Sequence, residues 1–216
     1  MLYNEWKDYY HLILKDFGFD RGRDETSARL LSDLLRGEAT SPEELEGLFK
    51  GKTVTVAGDG PNLPRELDDV RGVLIAADEA TSVLLENGMT PNVVMTDLDG
   101  KMEDLVKANE MGAIVIIHAH GDNQDMIKKF AGRFRGRVMG TTQSVPFDQI
   151  HNFGGFTDGD RGVFLADHFE ASEIRLVGFD FDNPREKGKD IEIKKRKLNW
   201  AFVLVSKLPS EKIILH

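Results

Sequence analysis

Three aspartates at strand exits are the residues with the plainest chemical potential in this chain. Apolar runs at 73–77 and 93–95 read as buried strands, and each runs straight into acid: Asp78 after the first, Asp97 and Asp99 after the second. Alternate positions of an extended segment put Asp97 and Asp99 on one face, where like charge costs stability without a counter-ion. Hard carboxylate oxygens gathered there suit magnesium, so Asp78, Asp97 and Asp99 are the expected metal ligands. Taken alone, Asp78 has a plainer reading as a helix N-cap, because helical spacing follows it at once.

Other strand exits carry polar chemistry too. After the β-branched run 53–57 come Gly58, Asp59, Gly60, Pro61 and Asn62, a glycine turn of the kind that offers backbone N–H groups to phosphate or ribose. It is neither a dinucleotide fingerprint nor a P-loop, since no Gly-Lys-Ser/Thr follows. The run 113–117 leads into His118, His120, Asp122 and Asn123; the histidines suit substrate hydrogen bonding better than zinc, and Asp122 is either catalytic or the N-cap of a helix reaching 130. Residues 137–139 lead into Thr141, Thr142 and Gln143. Residues 152–161 place two glycine turns, Phe156, Asp158 and Arg161 before a helix at 162–169, and read as a binding loop. A strand at 174–177 ends in Asp180 and Asp182, and Lys187, Lys189 and the basic residues of a helix at 194–204 follow.

The elements that must position these groups alternate. Between Asp78 and Asp97, residues 79–86 have helical spacing, and Asn87-Gly88 supplies a stop, which makes one right-handed strand-helix-strand unit. Repetition of that unit predicts a Rossmann-like α/β fold, a mostly parallel sheet with helices on both faces, whose carboxyl edge collects the polar exits. Residues 1–50 are instead helical throughout, with stripes at Trp6, Tyr10, Ile13 and Leu14 and at Ala28, Leu31, Leu34 and Leu35, and a third helix opening at Ser41-Pro42. They are expected to form a helical N-terminal cap on a catalytic domain spanning 51–216. The charged segment Asp20, Arg21, Arg23, Asp24 could approach a ligand but reads first as a solvated loop. A final edge strand is expected within 207–214.

Composition narrows the partners. Lys plus Arg number 28 against 37 Asp plus Glu, a net charge of -9, which argues against nonspecific nucleic-acid binding but not against a nucleotide held through a metal. No cysteine occurs, so disulfides, thiolate metal sites and cysteine nucleophiles are excluded. No apolar run approaches a membrane span and the N-terminus is too charged for a signal peptide, so a cytoplasmic protein is expected.

The motifs AADEATSVLLENGMTPNVVMTDLDG, GDGPNL, HAHGDN, GTTQ and NFGGFTDGDR together resemble the archaeal-type 6-hydroxymethyl-7,8-dihydropterin pyrophosphokinases over nearly the whole chain. The first of them is also similar to the aspartate signature of thiamin pyrophosphokinases, with departures at Glu79, Asn92 and Gly100; Asp59 departs from the small residue expected in the glycine turn. The resemblance implies magnesium-dependent transfer of pyrophosphate from ATP to the hydroxymethyl group of the pterin, with release of AMP, in tetrahydromethanopterin or folate-type biosynthesis. A homodimer is among the expected assemblies. With that chemistry, Asp122 or His118 would be the base, Arg161 and a lysine from 187–197 would meet phosphate, and Phe156, Gln143 and Asp158 would hold the pterin. Other readings are a thiamin-type pyrophosphokinase, an Asp-X-Asp sugar-nucleotide transferase through TDLD, and a non-catalytic nucleotide sensor.

Overall fold

Short β-branched and aliphatic runs build the centre of the molecule, because strands covered on both faces can afford no polar alternation. In the structure, a computed structural model describing residues 1–37, 39–183 and 191–215, these runs are β1 (Thr53–Ala57), β2 (Val73–Ala77), β3 (Val93–Thr96), β4 (Ile114–Ala119), β5 (Val138–Thr142), β6 (Ile150–His151), β7 (Glu173–Val177) and β8 (Ile213–Leu215). All pair in parallel in one sheet of order β6-β5-β4-β3-β2-β1-β7-β8. The fold is thus the expected Rossmann-like α/β architecture. The chain steps outward from β1 to β6, then returns to lay β7 against the opposite side of β1, with Thr53 beside Glu173 and Ala57 beside Val177. This reversal is where a doubly wound sheet opens a crevice at its carboxyl edge.

Helices cover both faces. On one lie α2 (Arg21–Leu34), α4 (Leu63–Glu66), α5 (Ala80–Glu86), α6 (Met102–Glu110) and α7 (Gln124–Phe130), whose Leu31, Leu63, Leu84, Leu105 and Ile127 bury against Ala76, Val94, Val115 and Ile117. On the other lie α3 (Pro42–Phe49), α8 (Asp158–His168) and α9 (Ile191–Val205), packing Phe49, Val163, Leu165 and Val205 on Val56, Ile75, Met95 and Ile116. Neighbours along each strand thus serve opposite cores, the period of two that a pleated strand imposes. Each fully buried aliphatic side chain contributes about 1.5–3 kcal/mol relative to exposure. Finally α1 (Tyr3–Phe17) lays Trp6, Tyr10 and Ile13 over Phe156, Phe164 and Leu204, sealing the outside of α8 and α9. No helix among the described residues is long and apolar enough to cross a membrane.

Two boundaries differ from the sequence expectation in ways that matter. Residues 158–161 are not loop: α8 starts at Asp158, four residues before the predicted helix. Thr157 is its N-cap, and the Asp160 carboxylate reaches back to the Phe156 and Thr157 N–H groups at 2.7 and 2.6 Å, a capping box that the glycines obscured. Similarly, the charged residues 21–24 are not loop: Asp20 accepts from the Gly22 N–H at 2.7 Å as the N-cap, and α2 begins at Arg21. Lys187 and Lys189 lie outside the described residues.

Candidate active site

The carboxyl edge brings three acids together. One carboxylate oxygen from each of Asp78, Asp97 and Asp158 lies within 4.8 Å of the other two. Asp78 turns out of β2 with φ 43°, its N–H held by the Met95 carbonyl at 2.7 Å. It is not the N-cap of α5, a position filled by Glu79; its side chain is buried and accepts from the Thr96 hydroxyl. Gly100 packs directly on this carboxylate, and any Cβ there would collide with it, which accounts for glycine at that departure from the thiamin-type signature. Asp158 arrives from the first turn of α8, placed by the capping box.

Asp97 follows β3, but the extended alternation expected to carry on to Asp99 stops there. Leu98 has φ 70°, its buried side chain turns into the core, and its N–H is taken by the Thr96 hydroxyl at 2.8 Å. Asp99 therefore does not share a strand face with Asp97: it is exposed, donates its N–H to Asp97 at 3.3 Å, and borders the site.

At such spacing two full charges repel by about 3–4 kcal/mol at an effective dielectric of about 20. The trio answers this unevenly. Burial, then the charges of Asp158 and Asp97, push the Asp78 carboxyl well above its ordinary range. Burial and Asp97 push Asp158 up to about 7, opposed by Arg161. Burial also works against ionised Asp97, but its contact with His120 Nε2 at 3.2 Å, a hydrogen bond with the Asp99 side chain and the Arg161 charge outweigh it and hold this carboxyl below the usual range. An all-oxygen donor set with unbalanced negative charge suits a hard divalent cation.

The other candidates fall into layers. Arg161, in the first turn of α8, is buried and points its guanidinium to Asp158 at 3.3 Å and the Gln143 amide oxygen at 3.5 Å. Gln143 in turn donates to Asp24 at 2.8 Å. His118 is wholly buried and lines neither cavity described below; its Nδ1 lies 3.2 Å from Thr141 Oγ1, which donates to the Ile117 carbonyl, so the ring supports from beneath. Burial first, then Arg161 and His120, lower its pKa well below the ordinary value. Thr142 accepts from the Ser144 N–H at 3.2 Å. Asp122 is not the cap of α7, which is Asn123; it is exposed and paired with Arg23 at 3.1 Å. Phe156 belongs to the third core, its ring 5.3 Å from Phe17, and it lines the larger cavity described below.

The glycine turn uses two of its backbone donors within the fold. The Gly58 N–H donates to the Val177 carbonyl at 2.8 Å and the Gly60 N–H to Gly178 at 2.7 Å, so the exits of β1 and β7 are sewn together. Asn62 donates to Glu66 at 2.8 Å, which accepts from the Gly178 N–H at 2.7 Å, and Pro61 is exposed.

The segment read as a solvated loop holds residues that sequence reasoning missed. Asp24 is 2% exposed and collects the Tyr10 hydroxyl at 2.6 Å, the Gln143 amide at 2.8 Å and the Gly121 N–H at 2.7 Å, tying α1, α2, β4 and β5 beneath the site. No local signal marks it, since every partner is distant in sequence except Tyr10.

Two cavities meet at the trio. The smaller, about 290 Å³, is bounded by the exits of β1, β2 and β7, with Asp78, Phe179 and Asp180. The larger, about 650 Å³, lies over β3 to β5 and α2, with Arg23, Asp97, His120 and Arg161. Asp99, Asp158 and Lys194 line both.

An α/β protein with a carboxylate cluster of this kind at its parallel strand exits is the class that fold and site define. Within it, the family described as "6-hydroxymethylpterin diphosphokinase MptE-like" matches residues 28–186, and the chain belongs to that family. Among its relatives, a protein of Pyrococcus furiosus named 6-hydroxymethyl-7,8-dihydropterin pyrophosphokinase is 47% identical, over 84% of this chain and 79% of that one. Proteins of the same name from Methanothermobacter thermautotrophicus and Methanocaldococcus jannaschii are 40% and 37% identical, over 93% and 94% of this chain and 92% and 94% of theirs. Among solved structures, a MAf glycosyltransferase of Magnetospirillum magneticum superposes with TM-score 0.51 at 15% identity, over 85% of this chain and 35% of that chain, a likeness of fold alone.

Proposed function

We propose that this chain transfers the pyrophosphoryl group of ATP to the hydroxymethyl oxygen of 6-hydroxymethyl-7,8-dihydropterin, in pterin biosynthesis. The observation that carries the reading is the trio Asp78, Asp97 and Asp158 at the meeting of two cavities, in a chain whose relatives carry that enzyme's name. The alcohol oxygen attacks the β-phosphorus, the bond from it to the α,β-bridging oxygen breaks, AMP departs and the hydroxyl proton goes to solvent. Such transfer is governed by positioning and charge neutralisation more than by covalent catalysis. Asp78, Asp97 and Asp158 would hold magnesium, which when bound supplies positive charge to the phosphate oxygens. His120 orients Asp97. Arg161, held by Asp158 and Gln143, faces charge that shifts toward the leaving AMP. A loose transition state needs little deprotonation, so no general base is assigned.

Phosphate-linkage analogues test this. An analogue with methylene between the α- and β-phosphates should bind and resist transfer, while a β,γ-methylene analogue should still donate. ADP formation, with the β,γ-methylene analogue inert, would make the chain a γ-phosphoryl kinase and overturn the reading.

A further inference from the structure

We infer that the smaller cavity receives the pterin ring, and that the nucleotide lies in the larger one, across the carboxylate trio. The inference rests on the pyrophosphokinase reading above. Size separates the two: about 290 Å³ accommodates a flat bicycle but not a nucleoside triphosphate, for which about 650 Å³ is available on the other side. A flat wall is also in place. A Cβ on Gly58 would come within 3.2 Å of the Phe179 ring and one on Gly159 within 3.1 Å, so two glycines from separate elements make room for this ring and fix it against the cavity.

Charge separates them further. Asp59, Glu79 and Asp180 line only the smaller cavity, and among its described lining residues Lys194 is the lone cation. The Gly58 and Gly60 N–H groups are bonded to the Val177 and Gly178 carbonyls, so neither of these two donors is offered to a polyphosphate. The larger cavity is also lined by acids, among them Asp20, Asp24, Asp97 and Asp122, but it sets Arg23, Arg161 and Lys197 beside them as well as the shared Lys194. The pyrimidine edge of a pterin sets a ring N–H beside an amino group, two donors side by side, which match the acceptor-only carboxylates of Asp59 and Glu79. Adenine alternates donor and acceptor along its edge, so a carboxylate there would meet a lone pair. The hydroxymethyl arm, at the far end of the bicycle from that edge, then reaches the trio from one side and the β-phosphorus from the other.

Equilibrium binding of 6-hydroxymethylpterin, read by its fluorescence, and of α,β-methylene-ATP with magnesium, read by calorimetry, tests the assignment on wild type, Asp59→Asn, Phe179→Leu and Lys197→Ala. Asp59→Asn and Phe179→Leu should each weaken the pterin about tenfold or more and leave the nucleotide within about twofold; Lys197→Ala should do the reverse. Asp59→Asn is isosteric on a part-exposed turn, so the result does not hinge on Phe179→Leu folding normally. Loss of nucleotide rather than pterin in the first two variants, or no change in pterin affinity while wild type still turns over, overturns the assignment alone. A wild type that neither binds the pterin nor releases AMP in its presence overturns the pyrophosphokinase reading and this inference with it.

Discussion

Replacing Asp97 or Asp158 by asparagine removes charge from a trio whose oxygens crowd within 4.8 Å. Turnover should fall by orders of magnitude in both, about 10²-fold or more; metal-free Asp158→Asn should melt no lower than wild type because repulsion is relieved, whereas Asp97→Asn gives up its contact with His120 and should melt lower. AMP release at limiting magnesium, beside thermal melts, checks both halves; near-normal turnover in both variants would remove the metal assignment. His118 makes a separate prediction. Its folded pKa is depressed below 6.5, so the folded protein refuses a proton that the unfolded chain accepts. That stability is present above about pH 6.5 and is lost as pH falls below it, at up to about 1.4 kcal/mol per unit. His118→Asn should therefore show a flatter melting profile between pH 6.5 and 5 than wild type, and parallel profiles would contradict the buried neutral ring. At this scale Asp78 and Asp97 were legible, since acid directly after a buried run is a local pattern. Asp158 was legible only as a polar group near the pterin, because its place beside Asp78 depends on where a distant helix starts. Asp24 was legible only as one of a charged segment that could approach a ligand, not as a buried tie, because its partners Gln143 and Gly121 are brought to it by the sheet.

The start of α8 shows how one element governs the site. Asp160 accepts from two backbone N–H groups and the Thr157 hydroxyl, and it fixes the turn that carries both Asp158 and Arg161. Asp160→Ala strands buried donors and should cost about 1–3 kcal/mol, lowering the Tm by about 2–4 °C per kcal/mol, with turnover falling too. An unchanged melt would mean that the cap is dispensable. The Thr-x-x-Asp spacing was there to be read, yet the glycines around it pointed to loop; capping geometry won over glycine content. Phe156, one residue before the cap, sits in the third core against Phe17. Phe156→Ala should cost about 3–5 kcal/mol in stability, a loss that calorimetry separates from any change in the KM of either substrate.

Across the whole molecule, strand order and the edge that collects the polar groups followed from repeated strand-helix units, whereas the return of β7 beside β1 was invisible, because parallel pairs between distant segments leave no local trace. A ligand bound only by the folded state raises its stability: at a hundredfold excess over Kd, magnesium and a nucleotide analogue should add about 2.7 kcal/mol, a rise of several degrees in Tm that chelation reverses. The late return of β7 also bears on how the protein comes into being. Strands β2 to β5 each lie beside their neighbour in sequence and can associate as the chain leaves the ribosome, but β1 keeps one bare edge until α8 and β7 have been synthesised. Asp158 and the smaller cavity's far wall come into place only with that last docking, so a nascent chain with most of its sheet formed would still bind neither substrate completely, and protection of the β1 amides from hydrogen exchange should be among the last acquired in refolding.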